Sequence, residues 1–136
     1  MQLAQEVFQK MWEQDYFSQW LSLKIMSVSE GYCKLTYQVR EDMLNGFGSI
    51  HGGVLFSASD SAFAFSCNSR GIISVALDVS ITFTRPAKVG DLLTVESKEL
   101  HHGNKTGLYQ ITTYNANNEL VCMFKGTAYR TGRSIL

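Results

Sequence analysis

The chain has 136 residues, 45% of them hydrophobic, with twelve basic residues against twelve acidic ones. That length holds one domain with a real core, and the level charge balance excludes the basic footprint of a nucleic-acid binder. Cys33, Cys67 and Cys122 are widely spaced and lack any C-x-x-C pattern, so neither a disulfide framework nor a metal site is expected.

The first residues have neither the basic start nor the apolar run of a secretory signal, which makes the cytoplasm the expected location. No stretch reaches the ~20 apolar residues of a membrane span, so no membrane partner is expected. Leu3, Val7, Phe8, Met11 and Trp12 recur at helical spacing and predict an amphipathic helix over the edge of the core. Tyr16, Phe17 and Trp20 follow as an aromatic patch, read as sealing this helix to a sheet, with a lining role in an acyl pocket as the other possibility.

From Leu23 the period changes to two. Leu23, Ile25 and Val28, then Cys33, Leu35, Tyr37 and Val39, predict two strands joined by a turn at Glu30-Gly31. Residues 40–50, with Asn45-Gly46 and Gly48-Ser49, form an irregular loop leading into the central stretch.

That stretch, residues 51–70, carries Asp60 as its single formal charge between His51 and Arg70. Val54, Leu55, Phe56, Ala58, Ala62, Phe63, Ala64, Phe65 and Cys67 leave no wide polar face, so the reading is a long helix buried nearly all round. Gly71 supplies its stop, and Arg70 sits where a cation meets the negative end of the helix dipole.

Four more strands follow. Val75, Leu77, Val79, Ile81 and Phe83 alternate with polar neighbours before Pro86; residues 92–100, 106–114 and 120–130 complete the set, the last apolar on both faces and suited to a central place. Short turns between these four imply antiparallel neighbours. The fold class is α+β: an antiparallel sheet of about six strands curling around one long helix, with an N-terminal helix, as a single domain over residues 1–136.

Two features of the helix point to chemistry. His51, Gly52 and Gly53 stand at its start, where backbone N–H groups lack intrahelical partners and glycines admit a close ligand; the plainer reading is a tight turn and a structural histidine. Asp60 must be paired, protonated or functional inside an apolar helix, and no lysine or arginine lies within one turn. A basic residue or a backbone cap from elsewhere in the fold is the structural alternative.

The run Asn45-x-x-Gly48-x-x-His51-Gly52-Gly53, then Asp60-Ser61-Ala62-Phe63-Ala64, Arg85-Pro86, Gly90-Asp91 and Gly126-x-x-Tyr129-Arg130, resembles the PaaI-like hotdog-fold thioesterases of the phenylacetic-acid-degradation group. The resemblance covers nearly the whole chain, with the motifs in order. It implies a hotdog fold and hydrolysis of acyl-coenzyme A thioesters, coenzyme A being part of the substrate and no separate cofactor being required. It implies that Asp60 acts as general base or nucleophile, that the Gly52 N–H polarises the thioester carbonyl beside Gly53, and that Asn45 and His51 help hold substrate or water. Where some relatives carry a serine or threonine after the helix to orient water, this chain has Ala76. Arg85, Lys105 and Arg130 are candidate contacts for the phosphates of coenzyme A, or else solvated surface residues.

Geometry adds a constraint of its own. Asp60 is eight residues beyond Gly52, which is ~12 Å along a helix, so the two cannot serve one carbonyl from one chain. A homodimer with shared active sites is expected, and the resemblance extends this to a dimer of dimers. Phe56, Phe63, Phe65, Tyr16 and Phe17 fit a pocket for a medium-chain or aryl acyl group and equally fit an ordinary core. An acyl-thioester dehydratase or hydratase using His51 as base, and a non-catalytic acyl-coenzyme A binding protein, are the alternatives.

Overall fold

The computed structural model describes residues 1–136. The elements run α1 (Leu3–Gln14), α2 (Tyr16–Trp20), β1 (Lys24–Ser29), β2 (Tyr32–Gln38), a 3-10 turn at Glu41–Met43, α3 (Gly52–Cys67), β3 (Ile72–Phe83), β4 (Leu92–His102), β5 (Thr106–Tyr114) and β6 (Leu120–Ser134). All six strands form one antiparallel sheet in the order β1-β2-β4-β5-β6-β3, and α3 packs against every strand of it. No helix is long and apolar enough to cross a membrane.

The sheet can close around α3 because one glycine makes room. A Cβ on Gly126 of β6 would lie 2.8 Å from the ring of Phe63, which is only 1% exposed. Phe63 packs on Tyr109 and Phe124, with ring centroids 5.5 and 5.8 Å away. A second anchor is polar: Ser66 Oγ and Ser97 Oγ lie 2.6 Å apart in the buried seam between α3 and β4. On the far side Phe8 of α1 meets Phe65 edge-on at 4.9 Å.

Four expectations change. The connection from β3 to β4 is a crossover rather than a hairpin, since β4 pairs with β2 and β5 while β3 pairs with β6 alone. β6 lies inside the sheet as expected, second from the edge, but runs past Arg130 to Ser134, which pairs with Ile72. Tyr16 and Trp20 do not seal the first helix to the sheet; they stand on the short helix α2, 73% and 58% exposed. Finally, α3 is not enclosed all round, because Val54, Phe56, Ser57, Asp60, Ser61 and Ala64 remain only half-buried.

The end of α3 also differs in detail. Asn68 closes it, donating from Nδ2 to the Ala64 carbonyl at 2.9 Å and accepting the Ser74 N–H at 2.8 Å, and Gly71 follows at φ +84°. Arg70 serves another purpose than meeting the helix dipole. Its guanidinium makes a two-pronged contact with Glu99 at 2.5 and 2.8 Å and a third bond to Glu30 at 2.8 Å, tying the β1–β2 turn to β4.

Candidate active site

The start of α3 is held by its neighbours. His51 N–H donates to the Met43 carbonyl at 2.8 Å, and Ile50 N–H donates to Ala87 at 2.9 Å. These bonds bring the loop before α3 alongside the connection after β3. Between them opens a cleft of about 540 Å³ lined by Asn45, Phe47, Ile50, Gly52, Leu55, Phe83, Arg85 and Pro86 among others.

The four amides of the first turn have different fates. Val54 and Leu55 donate to the His51 carbonyl, Gly53 donates to His51 Nδ1 at 2.8 Å, and the Gly52 N–H has no acceptor in the chain. A helix start concentrates positive potential, so an unengaged N–H at the floor of a cleft suits an oxygen that gains negative charge. Both glycines are sterically fixed. A Cβ on Gly53 would lie 2.9 Å from His51 Nδ1, and one on Gly52 would lie 3.1 Å from the Phe83 ring.

Asn45 organises the loop rather than reaching freely into the cleft. Its Oδ1 accepts the N–H groups of Phe47 at 2.8 Å and Ser49 at 3.2 Å, and its own N–H donates to the Ser49 carbonyl at 2.7 Å. The β5–β6 turn, whose Glu119 pairs with Arg85, repeats the pattern. Asn115 Oδ1 accepts from Asn117 and Glu119, Asn115 N–H donates to the Glu119 carbonyl, and Asn118 takes the positive φ that Gly48 takes in the first loop. With both oxygen lone pairs of Asn45 occupied, only its Nδ2 remains for a ligand.

Asp60 lies two turns further along α3 on its half-buried face, with no hydrogen bond or ion pair from its own chain. Burial, and then the nearby Asp15 carboxylate, hold its carboxyl above the ordinary aspartate range. It does not border the Gly52 cleft. Its neighbour Ser61 is engaged with Ser18 of α2 at 2.8 Å.

The three cations divide between the two ends of the sheet. Arg85 borders the Gly52 cleft and pairs with Glu119 at 3.2 Å. Lys105 and Arg130 border a different hollow of about 380 Å³. In register, Arg130 faces Ser74 while the cleft end of β3 is Phe83 facing Cys122, so within one chain they are roughly 30 Å apart along the strand. Arg130 contacts His102 through Nη2, and its Nη1 is buried without a partner. Ala76 is exposed on β3 next to a bulge at Leu77.

None of the five aromatic residues that the sequence left between core and pocket borders the cleft. Phe63 and Phe65 are core, Phe56 packs on Phe124 at 5.2 Å, and Tyr16 and Phe17 are exposed on α2. The cleft is lined instead by Phe47, 95% exposed, and Phe83, 51% exposed. Phe47 could have been noticed as an aromatic residue isolated in a glycine-rich loop; nothing in the sequence signals Phe83 or the approach of Asp15 to Asp60. No group of histidine, cysteine and acidic side chains is arranged to hold a metal, and the three cysteines are free and buried.

Residues 47–122 match the model of the thioesterase superfamily, and the chain belongs to that family, with its hotdog fold. Among its relatives, the acyl-coenzyme A thioesterase PaaI of Escherichia coli is 42% identical over 92% of this chain and 89% of its own length. The solved structure of the E. coli PaaI protein from the phenylacetic acid degradation operon superposes with a TM-score of 0.92, at 39% identity over 97% of this chain and 98% of that one. A Streptococcus mutans protein solved with acetyl-coenzyme A bound is 28% identical, with a TM-score of 0.80 over 82% of this chain and 90% of that one.

Proposed function

We propose that this protein hydrolyses acyl-coenzyme A thioesters in an active site that combines Asp60 of one subunit with the Gly52 helix start of a second. The observation that carries the reading is the unengaged Gly52 N–H at the floor of an apolar cleft, on a helix whose one carboxylate is itself unpaired. In this scheme the thioester oxygen rests against Gly52 N–H. Asp60 takes a proton from water as the water oxygen attacks the carbonyl carbon and passes it to the departing sulfur. Alternatively it attacks that carbon itself to form a mixed anhydride; the thiolate takes its proton from solvent, and water then hydrolyses the anhydride to free acid and the Asp60 carboxylate. The tetrahedral oxyanion is held by the amide dipole, the C–S bond breaks, and coenzyme A leaves as its thiol.

The pairing of subunits is supported by the free edge of the sheet. β3 is twelve residues long and exposes Val75 at 50% and Leu77 at 62%, an apolar edge of the kind that templates pairing with another strand. Two copies of β3 joined antiparallel across a two-fold axis would set the Ser74 end of one beside the Phe83 end of the other. Lys105 and Arg130 of the second chain would then approach the Arg85 cleft, where the phosphates of coenzyme A need cations. Phe47, Ile50, Leu55 and Phe83 fit a medium-chain or aryl acyl group, and a dimer of dimers and a cytoplasmic location complete the proposal.

A hydratase or dehydratase with His51 as base is disfavoured, because the Nδ1 lone pair already accepts the Gly53 N–H. Release of free thiol from short, medium, long and aryl acyl-coenzyme A esters by the wild type and by Asp60→Asn tests the proposal. Turnover by the wild type with a loss of ~100-fold or more in the variant supports it. Tight binding without thiol release would leave a binding protein instead.

A further inference from the structure

Helices α2 and α3 meet through two hydroxyls whose direction is fixed by chemistry. Ser18 N–H donates to Asp15 Oδ1 at 3.0 Å, and Ser18 Oγ lies 2.7 Å from Asp15 Oδ2. A carboxylate has no proton to give, so the Ser18 hydroxyl is the donor there. In the next contact, 2.8 Å long, Ser61 must therefore donate to Ser18. Ser18, the middle member of the chain Ser61 to Ser18 to Asp15, is only 1% exposed.

Ser61 directly follows Asp60. With its proton committed to Ser18, Ser61 cannot donate to Asp60, whose carboxylate receives no bond from its own chain. The titratable groups that act on or feel Asp60 are Asp15, from α2, and the Cys67 thiol on α3 itself, which burial first and then Asp60 push up to about 12. No charged side chain from β1 to β6 acts on it.

We propose that Asp15 is a positioning residue of the active site, fixing the Asp60 turn of α3 through Ser18 and Ser61 and keeping a negative charge beside it. This rests on the reading of Asp60 as the working carboxylate. A like charge nearby makes Asp60 harder to ionise and a stronger base once ionised, which suits a group that must take a proton from water near neutral pH. The cost is an acid limb displaced upward in pH.

The test is the pH dependence of kcat/KM for thioester hydrolysis, which reports ionisations of the free enzyme. Asp15→Asn keeps a side-chain oxygen at the N-cap of α2, so the helix start survives while the charge goes. The acid limb is expected to move to lower pH, and at about one pH unit below the wild-type midpoint the variant retains a several-fold larger share of its plateau rate. An acid limb that stays in place overturns the proposal. Asp60→Asn is run alongside. Retained activity in that variant refutes the reading of Asp60 itself, a failure distinct from an unmoved limb in Asp15→Asn.

Discussion

His51 Nδ1 accepts the Gly53 N–H at 2.8 Å, and this bond leaves Gly52 as the one amide of the first turn of α3 without a partner in the chain. The histidine thus acts as an N-cap, and its proton sits on Nε2 because Nδ1 is an acceptor. Capping selects which amide faces the cleft.

An asparagine can cap in the same way, whereas alanine cannot. His51→Ala should lose ~1 kcal/mol of stability together with activity. His51→Asn should recover the stability; the activity it recovers measures how much of the histidine's contribution is capping. Thermal melts and thiol-release rates on the two variants make the comparison, and equal loss of stability in both would contradict the capping role.

The two asparagine loops are tested separately. Asn115→Ala removes two accepted hydrogen bonds and the Nδ2 donation to Glu119, the partner of Arg85, and should cost about 1–2 kcal/mol. Asn45→Asp keeps the oxygen that Phe47 and Ser49 require and replaces the Nδ2 donor by a charged oxygen acceptor. It should melt near the wild type and yet turn over more slowly. A normal rate in Asn45→Asp would limit Asn45 to shaping the loop.

Gly126 is required by Phe63. A methyl group there would meet the ring at 2.8 Å, inside a core where Phe63 has no free space to move. Gly126→Ala should destabilise by about 1–3 kcal/mol. The double variant with Phe63→Leu should recover part of the loss, and purely additive losses in chemical denaturation would show that the ring is not the obstacle.

Asp60 should weaken the fold that carries it. Its folded-state pKa is raised by burial and by Asp15, so the folded chain binds the proton more tightly than the unfolded chain. The stability from that proton is present below the unfolded value and is lost as pH rises through the folded value. Asp60→Asn should therefore melt higher than the wild type near neutral pH, with the gap closing in acid where Asp60 is protonated. A variant that melts lower at neutral pH would mean that the carboxylate is paired in the assembled protein.

The strands and the central helix were legible because their periods are imposed by burial: Cys33, Leu35 and Tyr37 alternate inward, and Phe63 and Phe65 fill a helix too long to be a strand. Asp60 was conspicuous as a lone charge among apolar neighbours, and Gly52-Gly53 as a helix start without side chains. What failed were inferences about partners. The exposure of Tyr16 and Trp20, the edge position of β3 and the open face of α3 depend on what lies beside them in space. Their apolar residues look like core in sequence whether they face the same chain or a second one. The role of Asn45 in holding substrate or water came from the resemblance, and the loop bonds its Oδ1 accepts are local geometry that composition does not reveal; Asp15 lies 45 residues from Asp60 in the sequence.

The shared site is best tested by mixing two inactive chains. Asp60→Asn removes the carboxylate. Gly52→Pro removes the N–H at a position where proline suits a helix start, following a residue with extended φ −66° and ψ 134°, and its Cβ would press on the half-exposed Phe83 ring at 3.1 Å, which must give slightly. The two variants are denatured together at equal amounts, refolded, and assayed for thiol release. If Asp60 of one subunit works with Gly52 of the other, each mixed dimer contains one intact site, and roughly a quarter of the wild-type activity returns. If the mixture stays as inactive as the separate variants, although mass spectrometry shows that mixed dimers have formed, the two residues do not serve a common site.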